Sequence, residues 1–338
     1  MVWVKFAICL AVILVAGTRL AKYGDVIAVK TGLGRVWIGV VLLATITSLP
    51  ELATSISSVA LVGKPDLALG NLFGSNLINL AVIAIIDVLY TRGQVLQYLS
   101  SGIILAAASS TLLIAAVAIF IYLTQTMFSF GVFGYVGLYS PILLFLYLFV
   151  QYMIIRFRPV HQNQHTTDSS VTTHYESMSL VRVSAFFAIA ALATIGAGMW
   201  LGFIGDELSV VTGLETSLIG TLFLAICTSA PEIVVSISAL RMGALDMAVG
   251  NVIGSNLFNM GVVIFVGDLF YTSGPILSYV AMDHISTALF AVLMGCIVIL
   301  GLIFRPRIWP RIWVGLDATA LILLYLGAIG VLYLQGRP

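Results

Sequence analysis

The residues best equipped for chemistry in this sequence come in two matched sets. Thr47-Ser48-Leu49-Pro50-Glu51 recurs as Thr228-Ser229-Ala230-Pro231-Glu232. A second block follows each. It is Gly70-Asn71-Leu72-Phe73-Gly74-Ser75-Asn76-Leu77-Ile78-Asn79 in the first half and Gly250-Asn251-Val252-Ile253-Gly254-Ser255-Asn256-Leu257-Phe258-Asn259 in the second. The flanking acids match as well, Asp66 with Asp246 and Asp87 with Asp268. The spacing slips by one residue between the blocks, in the turn around 63–65 against 242–244.

Glu51 and Glu232 sit in the middle of apolar runs, with no Lys or Arg at comparable depth. An ionisable group there is costly unless paired, so the natural partner is a cation from solution, or a proton. Thr47 and Ser48 precede Glu51 by four and three residues, which puts all three on one helix face. Thr228, Ser229 and Glu232 repeat this pattern. Ser75 and Asn79 share a face at i, i+4, as do Ser255 and Asn259. Pro50 and Pro231 lack an N–H and crowd the carbonyl four residues back, so they break the helix and free carbonyls around Ile46 and Cys227. The inventory is then carboxylates, hydroxyls, amide oxygens and loose carbonyls. Hard cations such as Ca²⁺ and Na⁺ want such oxygens, and Ca²⁺ takes about 6–8 of them at about 2.3–2.6 Å. Soft metals want sulfur or nitrogen.

The remaining polar residues read more plainly. Cys227 adjoins Thr228, but Ile46 holds that place in the first copy, so it reads as packing. With Cys9 and Cys296 it makes three small buried hydrophobes. Gly70, Gly74, Gly250 and Gly254 read as close helix contacts. Asp66 and Asp246 read as helix N-caps. Asp87 and Asp268 read as headgroup-level acids. His161, His165 and His174 read as residues of a solvated loop, and Trp3, Trp37, Trp309 and Trp313 as interfacial anchors.

Positioning such groups needs elements that the composition identifies. Of 338 residues, 61% are hydrophobic and 9% charged, against about 25% charged in a soluble domain. The mean hydropathy is +1.13. A soluble enzyme, a nucleic-acid binder and a disordered chain are excluded. The net charge of +1 signals no anionic partner. Runs long enough to cross a bilayer fall at roughly 3–22, 34–62, 66–90, 98–123, 128–155, 181–204, 210–241, 246–271, 279–303 and 311–334. The first is read as a span rather than a removed signal. The strand alternation of a membrane barrel is absent.

One polar stretch interrupts the spans and divides the chain into a first five-helix repeat (1–156), a linker (157–179) and a second five-helix repeat (180–338). Basic residues favour cytoplasmic loops. With both termini outside, the cytoplasmic loops carry Arg19, Lys22, Lys30, Arg35, Arg92, Arg156, Arg158, Arg182, Arg241, Arg305, Arg307 and Arg311. The other side carries Lys5, Lys64 and Arg337, so 12 of the 15 basic residues sort to one side. The motif copies are five spans apart and cross the membrane in opposite directions. The expected fold is an all-α polytopic membrane protein of ten transmembrane helices in two inverted five-helix repeats, with a site near the midplane where the repeats meet.

The twin T-S-x-P-E and G-N-x-x-G-S-N-x-x-N blocks in inverted halves resemble the sodium/calcium exchanger family of the cation/Ca²⁺ antiporters, in its prokaryotic-type form. The resemblance implies a central diamond of cation sites where Ca²⁺ and Na⁺ compete. Glu51 and Glu232 would be the shared carboxylate ligands. Thr47, Ser48, Ser75, Thr228, Ser229 and Ser255 would give further oxygens, with Asn79 and Asn259 completing the diamond. The carbonyls of Ala44 and Ala225 match additional Na⁺ ligands. Spans 1 and 6 would slide past a rigid core. The chain departs from the family pattern in two ways. Ile46 and Cys227 stand where Gly is common, and Asn fills both diamond positions where many relatives carry one Asp. At most two negative charges then remain, enough for one Ca²⁺ or two Na⁺.

The expected function is Ca²⁺ exchange for Na⁺ by a multi-pass protein of the plasma membrane, acting as a monomer in the lipid bilayer with no resident cofactor and no nucleic acid. A proton-coupled Ca²⁺ exchanger is the nearest alternative, and a cation channel a more distant one. An intramembrane enzyme is disfavoured. The repeat blocks place no His or Lys base beside their serines, and His284 has no counterpart in the first half.

Overall fold

A backbone in lipid must satisfy its own polar groups, and the chain answers with helices. The computed structural model describes residues 1–31, 38–90, 93–126, 131–156, 179–304 and 315–335. The first half contains α1 (Val2–Thr31), α2 (Val40–Thr47), α3 (Leu49–Leu61), α4 (Pro65–Leu89), α5 (Ser101–Thr126) and α6 (Tyr139–Arg156). The second contains α7 (Leu180–Thr212), α8 (Thr216–Thr228), α9 (Ala230–Arg241), α10 (Leu245–Phe270), α11 (Asp283–Phe304) and α12 (Leu316–Gln335). Eight of these are long and apolar enough to span a membrane, and the bent pairs α2–α3 and α8–α9 bring the number to ten. The expected span count is met. Trp37, Trp309, Trp313, the linker and its histidines lie outside the described residues.

The halves are inverted. Lys5, at the start of α1, pairs with Glu207, near the end of α7, at 2.5 Å, so the two helices run antiparallel. At the centre, α4 and α10 are buried over most of their length, while α1, α7 and α12 keep most of theirs exposed. The outer surface of the spans is apolar, as lipid requires, and the interior holds both a hydrophobic core and the buried polar side chains.

Several boundaries differ from the hydropathy reading. α1 and α7 run past their apolar stretches to Thr31 and Thr212. Hydropathy marks where lipid ends, whereas a helix ends at a stop signal. For α7 the stop is Gly213, at φ 70°. Span 5 begins only at Tyr139, because a hairpin of β1 (Val132–Phe133) and β2 (Val136–Gly137) precedes it.

The one-residue slip between the motif copies is not in the connecting turn. Both turns are alike, with Gly63 at φ 70° and Gly243 at φ 73°. The extra residue is taken up by a π-turn at Ser57–Leu61 inside α3, where α9 stays regular. A second π-turn, Asn259–Val263 in α10, absorbs the compensating offset before Asp268. An i→i+5 turn accommodates one more residue than an i→i+4 turn without breaking the helix.

The flanking acids are not caps. Asp66 Oδ1 accepts from the Ala281 amide at 2.7 Å, and Asp246 Oδ1 from the Ser100 amide at 2.8 Å. Each ties the start of its own helix to the approach of a helix in the other half. Asp87 and Asp268 do not stand free at headgroup level either. Each accepts the amide eight residues on, Val95 and Ile276, at 2.7 Å. Asp268 is fully buried and also accepts from the Gly137 amide (2.9 Å), Tyr139 Oη (3.0 Å) and Ser140 Oγ (2.5 Å). It fastens the hairpin and α6 to α10. Of the three cysteines, Cys9 and Cys227 are buried as expected, whereas Cys296 is exposed on α11, where the surrounding surface is apolar.

Candidate functional site

The site begins with two broken helices. The breaks fall at single residues, Ser48 (φ −85°, ψ 9°) and Ser229 (φ −78°, ψ 0°), and bend the two pairs by 45° and 43°. Pro50 and Pro231 stand at the first turn of the helices that follow, where a missing N–H costs nothing. The proline that ends one helix thus starts the next, and Glu51 and Glu232 point inward from that first turn, fully buried.

Glycines let the next elements close in. A Cβ at Gly70 would lie 2.5 Å from the Ser217 carbonyl, and one at Gly74 would collide with the Thr221 carbonyl of α8. At Gly254 it would collide with the Val40 carbonyl of α2. The core helix of each half is therefore pressed onto the broken helix of the other, as the small-residue spacing leads one to expect. This crossed packing decides where the hydroxyls go.

The side chains form a two-fold network across the repeat interface. Glu51 Oε1 accepts from Ser75 Oγ at 3.3 Å and from Ser229 Oγ at 3.5 Å. Glu232 Oε1 accepts from Ser255 Oγ at 3.3 Å and from Ser48 Oγ at 3.2 Å. Thr47 Oγ1 donates to Asn251 Oδ1 (3.3 Å), and Thr228 Oγ1 to Asn71 Oδ1 (2.9 Å). Asn79 Nδ2 donates to Asn256 Oδ1 (2.9 Å), and Asn259 Nδ2 to Asn76 Oδ1 (3.3 Å). Helical spacing alone puts Thr47 and Ser48 on the face of Glu51. The bend turns these hydroxyls across the interface, toward the partner glutamate and its supporting Asn. The carbonyls of Ala44 and Ala225 accept the Ser48 and Ser229 amides at 3.0 and 2.9 Å, and each lies 3.4 Å from the threonine hydroxyl of its own helix, Thr47 and Thr228.

Four oxygens in this network have no hydrogen-bond partner: Glu51 Oε2, Glu232 Oε2, Asn79 Oδ1 and Asn259 Oδ1. They are buried acceptors, two of them on carboxylates. Among the described residues no Lys, Arg or His pairs with either glutamate. No cluster of three or more His, Cys, Asp and Glu occurs among them; the acceptors that the network offers are the oxygens of Glu and Asn. Buried acceptors without donors are costly to maintain, and oxygens of this kind suit a hard cation.

Ser75, Asn79, Ser255 and Asn259 lie where the motif spacing puts them. Asn71, Asn76, Asn251 and Asn256 were not among the candidate residues. They hold the threonines and the other two asparagines in place. Their recurrence in both copies of the block is a signal that could have singled them out.

A family model described as sodium/calcium exchanger protein matches residues 1–158 and 183–334. The chain belongs to the sodium/calcium exchanger family. Residues 159–182, between the matched stretches, overlap the polar linker. The sodium/calcium exchanger MaX1 of Methanosarcina acetivorans is 28% identical over 297 residues, covering 80% of this chain and 84% of that protein. Inner membrane protein YrbG of Escherichia coli is 27% identical over 262 residues, 75% of each chain. Among solved structures, the sodium-calcium exchanger NCX_Mj superposes with a TM-score of 0.64 at 19% identity, over 98% of this chain and 99% of that one. The H⁺/Ca²⁺ exchanger CAX gives 0.66 at 14% identity, over 98% and 88%. This family member is accordingly a multi-pass membrane protein that exchanges Ca²⁺ and another cation.

Proposed function

We propose that the counter-ion is Na⁺ and that one oxygen-lined site carries Ca²⁺ and Na⁺ in turn by alternating access. The observation that carries this reading is the set of four buried oxygens without donors, two of them carboxylate, with no basic partner. Glu51 and Glu232 are the shared ligands. Thr47, Ser48, Ser75, Asn79, Thr228, Ser229, Ser255 and Asn259, with the carbonyls of Ala44 and Ala225, supply the remaining oxygens. Two carboxylates side by side and without a counter-charge are expensive in a low dielectric. The empty core therefore resists passage, while a core filled by one Ca²⁺ or two Na⁺ is neutral and moves. That penalty couples the two fluxes.

α1 and α7 are the moving elements. Gly17 of α1 rides on Pro231, and Gly198 of α7 lies against Pro50, so each meets a broken helix across a surface with few knobs. The site is complete within one chain, which favours a monomer, and the ions are cargo with no resident cofactor. Ser75 and Ser255 are engaged by carboxylates rather than by a base, which argues against hydrolytic chemistry. We assign residues 1–156 and 180–338 to the two repeats, and 157–179 to a cytoplasmic linker. Both termini lie outside the plasma membrane, in line with the sorting of 12 of the 15 basic residues.

Proton coupling is the second reading. Two buried carboxylates can carry protons, and the H⁺/Ca²⁺ exchanger CAX shares the fold. ⁴⁵Ca²⁺ uptake into proteoliposomes, with Na⁺, K⁺ and H⁺ gradients imposed separately, tests both. Uptake driven by outward Na⁺ alone is the expected result. Uptake driven by a pH gradient in the absence of Na⁺ establishes the second reading, and uptake independent of any gradient sinks exchange.

A further inference from the structure

The two halves differ at one pair of equivalent hydrogen bonds. In the second half Asn251 Nδ2 donates to Ser236 Oγ at 3.2 Å, tying α10 to α9. The equivalent residues of the first half are Asn71 on α4 and Ser55 on α3. There Asn71 Nδ2 and Ser55 Oγ are both buried, and neither has a hydrogen-bond partner. The amides are oriented alike, because Asn71 Oδ1 and Asn251 Oδ1 each accept the threonine hydroxyl from the opposite repeat. The difference is therefore not an amide turned the other way.

Ser55 could have bonded to its own helix. Hydroxyls at Thr18, Thr111, Thr124, Thr212 and Thr221 all donate to the carbonyl four residues back. Ser55 does not, and neither does Ser58, also orphaned and buried. With Glu51 they stand at i, i+4 and i+7, on the α3 face toward α4, where Glu51 itself stays bonded to Ser75 Oγ at 3.3 Å. On another side α3 has gained partners. Thr54 Oγ1 donates to the Gly198 carbonyl (3.0 Å), and Ser57 Oγ to the Met199 carbonyl (2.6 Å), both on α7. α9 has no such hold on α1: Val235 replaces Thr54, and Ser238 donates back to Val234.

We propose that the Asn71–Ser55 and Asn251–Ser236 hydrogen bonds form in turn. Each is a latch between the glutamate helix and the core helix of its own repeat, made in one access state and open in the other. In this structure the second latch is made. The first is open, and α3 is held by α7 instead. In the opposite state α3 releases α7, and Ser55 accepts from Asn71 as α9 leaves α10. The four residues are positioning residues: they need not touch the ion, and they set how firmly each glutamate helix is held to its core helix while α1 and α7 move. The inference rests on alternating access as the mode of transport, and not on which ion is coupled.

Ser236→Ala and Ser55→Ala test it, with amide hydrogen exchange read over Leu49–Leu61 and Ala230–Arg241 in the full-length protein in lipid nanodiscs. A single neutral hydrogen bond shifts a two-state ratio about fivefold. Ser236→Ala removes the latch made here, so exchange rises in α9 and falls up to about fivefold in α3, in the other repeat. Ser55→Ala does the reverse, and the double variant returns toward wild type. The effect in the opposite repeat is decisive, because a merely structural serine loosens its own helix alone. Exchange that changes only in the mutated helix, moves the same way in both variants, or does not change at all overturns the latch. The readout needs no ion flux, so it stands apart from the Na⁺ reading. Where flux is measured, the ratio of apparent Ca²⁺ KM at the two membrane faces moves in opposite directions in the two variants.

Discussion

Glu51→Gln removes one of the two site charges while keeping the shape of the side chain. Glu51 is fully buried, takes two serine hydroxyls on Oε1 and leaves Oε2 without a donor. At an ion–oxygen distance of about 2.4 Å and an effective dielectric of about 20, a unit charge attracts Ca²⁺ by about 14 kcal/mol and Na⁺ by about 7. Loss of the carboxylate also spares the cost of burying it, several kcal/mol. The net loss for Ca²⁺ stays well above 4 kcal/mol, more than about a thousandfold in affinity, whereas Na⁺ loses far less. Ca²⁺ uptake into proteoliposomes should vanish, and Na⁺ self-exchange should fall less steeply. The same reasoning gives an opposite sign for stability. In ion-free buffer the variant no longer buries an unpaired carboxylate, so it should unfold at a higher temperature than wild type. Ca²⁺ at a hundredfold excess over Kd adds about 2.7 kcal/mol to wild type by mass action and should add nothing to the variant. Ca²⁺ transport within tenfold of wild type, or a variant less stable than wild type in ion-free buffer, would refute the assignment of Glu51 as an uncompensated ligand.

Asn259→Asp adds a third negative charge beside one of the orphaned amide oxygens; the Na⁺-to-Ca²⁺ flux ratio or its pH profile should change, and unchanged values in a dual-isotope assay count against the charge balance. Gly74→Ala places a methyl against the Thr221 carbonyl, a backbone atom that cannot swing aside; the yield of monodisperse protein should collapse, whereas Gly330→Ala, with nothing within 4 Å, should not alter it. Asp268→Asn turns a carboxylate that accepts four donors into an amide whose NH₂ faces donors; at about 1–3 kcal/mol for each group left unsatisfied, the melting temperature should drop by several degrees at unchanged Ca²⁺ affinity.

Much of this arrangement is legible in the sequence, and the reasons are physical. Lipid forces bilayer-length apolar helices, so ten spans can be counted. A duplicated block with an odd span offset fixes the inversion. The scarcity of charge in the spans picks out Glu51 and Glu232. What sequence misses is where side chains reach after a bend. Helical spacing puts Ser48 beside Glu51, but the break at Ser48 sends its hydroxyl to Glu232. Asp66 and Asp246 look like caps because they open helices, yet each receives an amide from a distant approach segment. Asp268 looks like a headgroup-level acid because its four donors come from α6, the hairpin and a turn, none of them local in a way that periodicity reveals.

The one-residue offsets between the repeats carry the most consequence. Two identical inverted halves would offer the ion two equal paths, one toward each face. Here the π-turn of α3 (Ser57–Leu61) and that of α10 (Asn259–Val263) pack near one another, since α3 meets α10 over 259–270. Both lie toward the end of the bundle that carries Lys5 and Glu207. Their counterparts, the end of α9 and the second half of α4, are regular α-helix at the opposite end. All of the insertion-derived asymmetry therefore falls on one side of the glutamates. A π-turn disturbs the i→i+4 ladder, so on that side of the glutamates α3 and α10 have backbone that yields more readily. The open Asn71–Ser55 contact sits directly before the first of these turns. Deleting one residue from Ser57–Leu61 should restore a regular helix and make the two faces more alike in apparent Ca²⁺ affinity. If the deletion variant folds and the affinity ratio between the faces stays at its wild-type value, the π-turns are not what makes the two paths unequal.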